Sequence, residues 1–201
     1  MSLERVNPRK PKQIRKAEMK VLLASCPWNL GMAKSPAVWD ALPWSYWDPS
    51  VVYDRVELKD KVILDVGAGT GQVTIRCAPY ARLIWALEPV KRLRQYIEKK
   101  MNAAGFRNVQ TLNGLLESVP LEDDSIDISI LSSGSFGWNP DAELNELERV
   151  TKSEGTILML APCNFDNKEL LSKISGKSGY KPFDFEIPGD GKKPAFIKKL
   201  S

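Results

Sequence analysis

Lys61-Val62-Ile63-Leu64-Asp65-Val66-Gly67-Ala68-Gly69-Thr70-Gly71-Gln72-Val73-Thr74 is the stretch that decides the fold. The apolar, β-branched run 62–66 predicts a strand buried on both faces. Glycines follow at every second position, and 73–78 then reads as a helix. Strand, glycine turn and helix in this order make a nucleotide site, because glycine permits the φ angles of the turn and close approach of backbone to a ligand. A purely structural turn is the competing reading. The spacing is G-x-G-x-G; a dinucleotide fingerprint, G-x-G-x-x-G, would need its last glycine at Gln72. Asp65 sits inside the strand, two residues before the first glycine. Carboxylates near the loop suit a cationic ligand with free hydroxyls better than a pyrophosphate.

Working outward, 82–88 reads as a second buried strand ending in Glu88. An acid there either accepts both ribose hydroxyls or caps the next helix. Residues 92–104 form a helix with Leu93, Tyr96, Ile97 and Met101 on its apolar face and Gly105 as its stop. Short strands follow at 109–113 and 126–132. Residues 141–152 are a helix with Leu144, Leu147 and Val150 inward, followed by a tight turn at Gly155 and a fifth strand. A helix over 170–174 and strands over 180–187 and 194–200, joined by the turn 188–192, complete the chain.

Upstream, 1–12 reads as a basic tail and 13–25 as a helix that Cys26-Pro27 ends. Trp28, Trp39, Trp44, Tyr46, Trp47 and Tyr53 then crowd a proline-rich span, with a short helix starting at Ser35-Pro36 and Ser35 as its cap. These aromatics pack a cap onto the sheet, wall a ligand pocket, or do both. The expected organisation is a basic tail and helical cap over 1–55 and a cofactor-binding core over 56–201.

Composition limits the chemistry. The 201 residues carry a net charge of +4, 43% apolar and 27% charged residues, which suits one globular domain. No apolar run reaches membrane-spanning length and no signal-peptide core opens the sequence, so a cytoplasmic protein is expected. The absence of histidine removes the Ser-His-Asp and Cys-His nucleophile systems. Cys26, Cys77 and Cys163 are too far apart for a Cys-x-x-Cys metal site and odd in number, so buried, inert thiols are expected and no metal is. Arg5, Arg9, Lys10, Lys12, Arg15, Lys16 and Lys20 make either a solvated tail or a polyanion contact.

Asp65-Val66-Gly67-Ala68-Gly69-Thr70-Gly71 resembles motif I of the class I S-adenosylmethionine-dependent methyltransferases, Glu88 stands at motif II, and 148–160 is similar to the Glu-x-x-Arg-Val-Leu-Lys-Pro-Gly-Gly block of the type 11 family. The resemblance implies a Rossmann-like α/β fold: a seven-stranded, mostly parallel sheet with antiparallel C-terminal strands, here under a helical, aromatic-rich N-terminal cap. It implies S-adenosyl-L-methionine held by Asp65, Gly67, Ala68, Gly69, Gly71, Glu88, Pro89, Leu115, Leu116, Glu117 and Ser132. Where the family often has Gly-Asp-Ala, this chain has Gly114-Leu115-Leu116, so adenine falls to a Leu116 N–H, the leucines, and Glu117 or Asn113. The loop after strand four lacks the Asn/Asp-Pro-Pro-Tyr/Phe of amide and exocyclic-amine enzymes, which disfavours those classes. Trp44, Tyr46, Trp47, Ser133 and Trp138 are the expected acceptor pocket, with Asp40, Asp48 and Tyr46 as candidate bases.

Cys163 matches one thiol of the RNA 5-methylcytosine enzymes, but serines replace the Pro-Cys they also need. The function implied is methyl transfer, mainly by proximity, to a small molecule or an exposed polymer group. The alternatives are an RNA or ribosome modifier, a non-catalytic adenosylmethionine-binding protein and, more distantly, an NAD-dependent dehydrogenase.

Overall fold

The computed structural model describes residues 34–42, 46–132, 139–161, 168–189 and 191–201. Its elements are α1 (Pro36–Asp40), α2 (Ser50–Tyr53), β1 (Val62–Val66), α3 (Gln72–Cys77), β2 (Leu83–Leu87), α4 (Lys91–Ala103), β3 (Val109–Leu112), β4 (Ile126–Ser132), α5 (Pro140–Val150), β5 (Thr151–Leu160), α6 (Lys168–Gly176), β6 (Lys181–Ile187) and β7 (Gly191–Lys199). The basic tail, the 13–25 helix, Cys26 and Trp28 lie outside the described residues.

The strands form one sheet in the order β3-β2-β1-β4-β5-β7-β6. β1, β2, β3, β4 and β5 run parallel, whereas β7 is antiparallel to both β5 and β6. The order reverses between β1 and β4, so the loops leaving the carboxyl ends of these strands open a crevice where an open α/β sheet takes its ligand. β1 is buried at all five positions, which is why it reads as an apolar run, interrupted only by Asp65, rather than an alternation. Val62, Leu64 and Val66 join Leu144, Leu147 and Val150 of α5 and Leu170 and Ile174 of α6 on one face. Ile63 joins Val73 and Cys77 of α3 on the other, together with Trp47, Val51 and Val52. A smaller cluster packs Ile97 and Met101 of α4 against Ala68 and Ala86. No helix among the described residues is long and apolar enough to cross a membrane.

Three local expectations need correcting. Ser35 occupies the cap position of α1, but its side chain makes no capping hydrogen bond. Tyr96 is not part of the apolar face of α4: the buried residues there are Leu93, Ile97 and Met101, and the Tyr96 hydroxyl goes to Asp40. The third concerns β5, which begins at Thr151, because Thr151 pairs with Ile126 before a register shift carries the strand past Gly155. The left-handed residue is Glu154 (φ 65°), and Gly155 is required by close packing instead. A Cβ at Gly155 would stand 2.7 Å from the Lys152 carbonyl oxygen and 3.0 Å from that of Asp127. β6 ends the sheet and carries Pro182, Asp184 and Glu186.

Because two of those contacts are to backbone, Gly155→Ala is expected to destabilise the fold by about 1–3 kcal/mol. A lowered urea midpoint at unchanged m-value would show it; a wild-type midpoint would contradict this account.

Candidate functional site: the glycine turn and the ends of β1 and β2

Gly67, Gly69 and Gly71 all adopt left-handed backbone, with φ of 65°, 54° and 77°. Such angles strain any residue with a Cβ. At Gly71 space is also tight: a Cβ would lie 3.2 Å from Ile97. Ala68 N–H donates to the Leu87 carbonyl (2.9 Å) and Gly71 N–H to that of Ala68 (2.7 Å), folding the turn over the end of β2.

Glu88 stands at the end of β2 and ties two loops together. One carboxylate oxygen accepts the Gly69 N–H at 3.0 Å and the other the Val90 N–H at 2.8 Å. The side chain is buried, and burial raises its pKa while the two N–H donors pull it back. Arg94 Nη1 reaches the carbonyls of Glu88 (2.7 Å) and Pro89 (2.8 Å) and Oδ1 of Asn113 (3.0 Å). One guanidinium thus joins the ends of β2 and β3.

The next loop carries Leu115, Leu116 and Glu117. Leu116 is buried in the core on the α5 face, whereas Leu115 is 58% exposed and Glu117 is exposed. Gly114 lets the loop lie against β2, since a Cβ there would be 2.9 Å from Leu87 and 3.0 Å from Pro120. Two residues of α5 hold the far end. Glu146 accepts the Val119 N–H at 2.8 Å, and Arg149 donates to the carbonyls of Val119 and Leu121 (3.1 and 3.0 Å) and pairs with Asp123 and Glu146.

Residues 64–159 match the family model described as "Methyltransferase domain", type 11. A methyltransferase-like protein of Schizosaccharomyces pombe is 31% identical over 116 residues, 57% of this chain. The chain spans only 43% of the length of that relative. Among solved structures, a SAM-dependent methyltransferase from Aquifex aeolicus shares the fold with a TM-score of 0.67 at 20% identity, covering 84% of this chain and 98% of that one. Phosphoethanolamine N-methyltransferase 1 of Haemonchus contortus, solved with phosphoethanolamine and S-adenosylhomocysteine, shares it with a TM-score of 0.68 at 12% identity, covering 92% of this chain and 49% of that one. The match to a methyltransferase domain thus runs through residues 64–159, and the fold that carries it is the one the S-adenosylmethionine-dependent methyltransferases share.

The geometry of the matched stretch suits S-adenosylmethionine. The glycine turn is a cradle free of side chains at Gly67, Gly69 and Gly71, and Glu88 is a fixed carboxylate at the end of β2, where ribose hydroxyls need acceptors. Pro89 and Leu115 are exposed beside it, and Ser132 ends β4 across the crevice. Asp65 is placed differently from its neighbours. It is 1% exposed, and its Oδ2 accepts the Thr74 hydroxyl at 2.5 Å, so its carboxylate is committed to the first turn of α3.

Of the candidate bases, Asp48 accepts the Ser50 N–H at 2.9 Å at the start of α2. Asp40 accepts hydrogen bonds from Gln72, Tyr96 and Lys100. Tyr46 is 58% exposed, and Trp47 is a core residue with the Arg76 guanidinium 4.7 Å above its ring. Trp44, Ser133, Trp138 and Cys163 lie outside the described residues. Cys77 is buried, and burial pushes its thiol up to about 12, which leaves it inert at neutral pH. Arg94, Thr74, Glu146 and the partners of Asp40 were not read as site residues from sequence. Only the Glu-x-x-Arg spacing at Glu146 and Arg149 carried a usable signal.

Burial raises the Asp65 carboxyl to about 6, against the hydrogen bonds from Thr74 and with a smaller push from Glu88. Between about pH 4 and 6 the folded chain therefore holds more proton than the unfolded one, so stability falls as pH rises through that window. The ionised group costs on the order of 3 kcal/mol above it. The stability of the wild type relative to Asp65→Asn should drop by about that amount from pH 4 to pH 7 in urea unfolding. A pH-independent difference would refute the assignment.

Proposed function

We propose that this protein is a methyltransferase that uses S-adenosyl-L-methionine and accelerates transfer mainly by holding donor and acceptor in line. The observation that carries the reading is the Glu88 carboxylate fixed on the Gly69 amide, beside three left-handed glycines, at the reversal of strand order. Adenosylmethionine supplies an electrophilic methyl group on a sulfonium whose departure leaves a neutral thioether. The chain's own part is then placement. The backbone of Gly67, Ala68, Gly69 and Gly71 receives the donor at the glycine turn. Glu88 accepts the ribose hydroxyls, while Arg94 fixes the Glu88–Pro89 corner to Asn113. Leu115 and Leu116, with Glu117 beside them, flank adenine in a loop that Glu146 and Arg149 keep in position. Asp65 acts through Thr74, aligning the first turn of α3 under the glycine turn. Ser132 at the end of β4 and the exposed Tyr46 are candidates for the acceptor pocket, and the sequence adds Trp44, Ser133 and Trp138 to them. Residues 56–201 are the cofactor-binding core and 1–55 a basic tail and cap.

The acceptor is a small molecule or an exposed group on a polymer. Labelled methyl transfer from adenosylmethionine into metabolite, RNA and protein fractions of cells lacking this gene tests the reading and names the class. Label in the RNA fraction, with salt-dependent retention, would extend the acceptor to nucleic acid through the basic tail. Gly67→Val and Glu88→Ala should each weaken S-adenosylhomocysteine binding by about 100-fold or more, with a melt that stays cooperative but moves to lower temperature because each disturbs the turn. Wild-type affinity in both variants would overturn the assignment.

A further inference from the structure

Asp40 accepts three side-chain hydrogen bonds, and its partners come from two helices, α3 and α4. Its Oδ1 accepts Gln72 Nε2 at 2.6 Å, and its Oδ2 accepts the Tyr96 hydroxyl at 2.8 Å and Lys100 Nζ at 2.8 Å. The Asp40 and Lys100 side chains are only 19% and 18% exposed, so water competes poorly for the pair. Burial works to raise the Asp40 carboxyl, but the bonds from Lys100, Thr70, Tyr96 and Gln72 together hold it below the usual carboxylate range. It therefore stays ionised across the neutral range and serves as an anchor.

The network continues in both directions. Gln72 spends both ends of its amide, because Oε1 accepts Arg76 Nη1 at 2.6 Å while Nε2 donates to Asp40. Arg76 in turn lies over Trp47. On the other side Lys100 forks, with a second bond of 3.1 Å to the Thr70 carbonyl. Thr70 lies between two glycines of the turn, and its peptide to Gly71 is held at both ends. Lys100 takes the carbonyl, and the Gly71 N–H on the opposite side of the planar group goes to Ala68. Glycines on either side of Thr70 leave this segment little local stiffness of its own. α1 is five residues long and cannot persist on helix propensity alone. It is held by the buried Trp39 and by Asp40.

We propose that Asp40 is a positioning residue that clasps α1 to the glycine turn through Gln72, Tyr96 and Lys100, so that donor affinity depends on α1 being docked. The inference rests on the methyltransferase reading for its ligand, but not for its mechanics. Docking of α1 and ordering of the Thr70–Gly71 peptide are one equilibrium. A donor that needs the ordered turn draws α1 down, and α1 in place lowers the ordering cost of binding.

The test uses the full chain with S-adenosylhomocysteine in calorimetry, and amide hydrogen exchange of residues 68–73 without ligand. Asp40→Ala is expected to weaken binding about tenfold and to speed exchange in the turn, with the thermal melt cooperative. Lys100→Met should do the same, and the double variant should be no worse than either single, since both act through one network. Exchanging the two groups, Asp40→Asn with Gln72→Glu, keeps one carboxylate and one amide in the network and should recover affinity to within about threefold. Should Asp40→Ala fail to fold, Tyr96→Phe removes a single hydroxyl and should still speed exchange in the turn. Unchanged affinity and exchange in Asp40→Ala, or strictly additive effects in the double variant, would overturn the clasp. Failure of the wild type to bind S-adenosylhomocysteine would instead overturn the methyltransferase reading, and the exchange measurement would still decide the clasp.

Discussion

The contact on which the rest depends is the hydrogen bond from the Gly69 amide to the Glu88 carboxylate. It joins the turn leaving β1 to the end of β2, and it needs a backbone that only glycine adopts without strain. A buried carboxylate is costly unless its lone pairs are used, and here two N–H groups use them. The same group that closes the turn is therefore held as a fixed acceptor at the carboxyl end of β2. On the proposed reading a ribose would find that carboxylate already in place.

Around that contact the crevice is built by cations reaching backward to carbonyls. Arg94 gathers the ends of β2 and β3, Arg149 holds the loop after β3 from the opposite helical layer, and Lys100 takes the Thr70 carbonyl. Each satisfies backbone oxygens at loops that have no strand partner. The loops are irregular in hydrogen bonding but not free, because each is pinned from a regular helix. Rigid helices thus lend their order to the segments that would touch a ligand.

Much of this was legible in the chain. The bounds of β1 and β4, 62–66 and 126–132, were read without error, because apolar residues dominate the buried positions of both strands. The glycine spacing announced the turn. The start of β5 was not legible: Lys152, Ser153 and Glu154 look like a turn, and only pairing with β4 makes them strand. Tyr96 follows Leu93 by three residues, so helical periodicity put it with the core, although its hydroxyl has a polar destination. Asp40 meets Gln72, Tyr96 and Lys100 across 32, 56 and 60 residues of chain, and such contacts leave no local pattern. Periodicity reports burial; it says nothing of which distant donor a carboxylate will find.

The last strand, β6, has a consequence for the life of the molecule outside its site. A sheet border is a template on which a second chain can add hydrogen bonds, and seven strands in one sheet leave two such borders. One is β3, only four residues long. The other carries Pro182, which has no amide hydrogen to offer, and the acids Asp184 and Glu186. An incoming strand would meet a missing donor in the ladder and charged side chains along it. The fold therefore protects itself from fibrous association at the end farthest from its chemistry, where the turn and crevice place no demands on the residues.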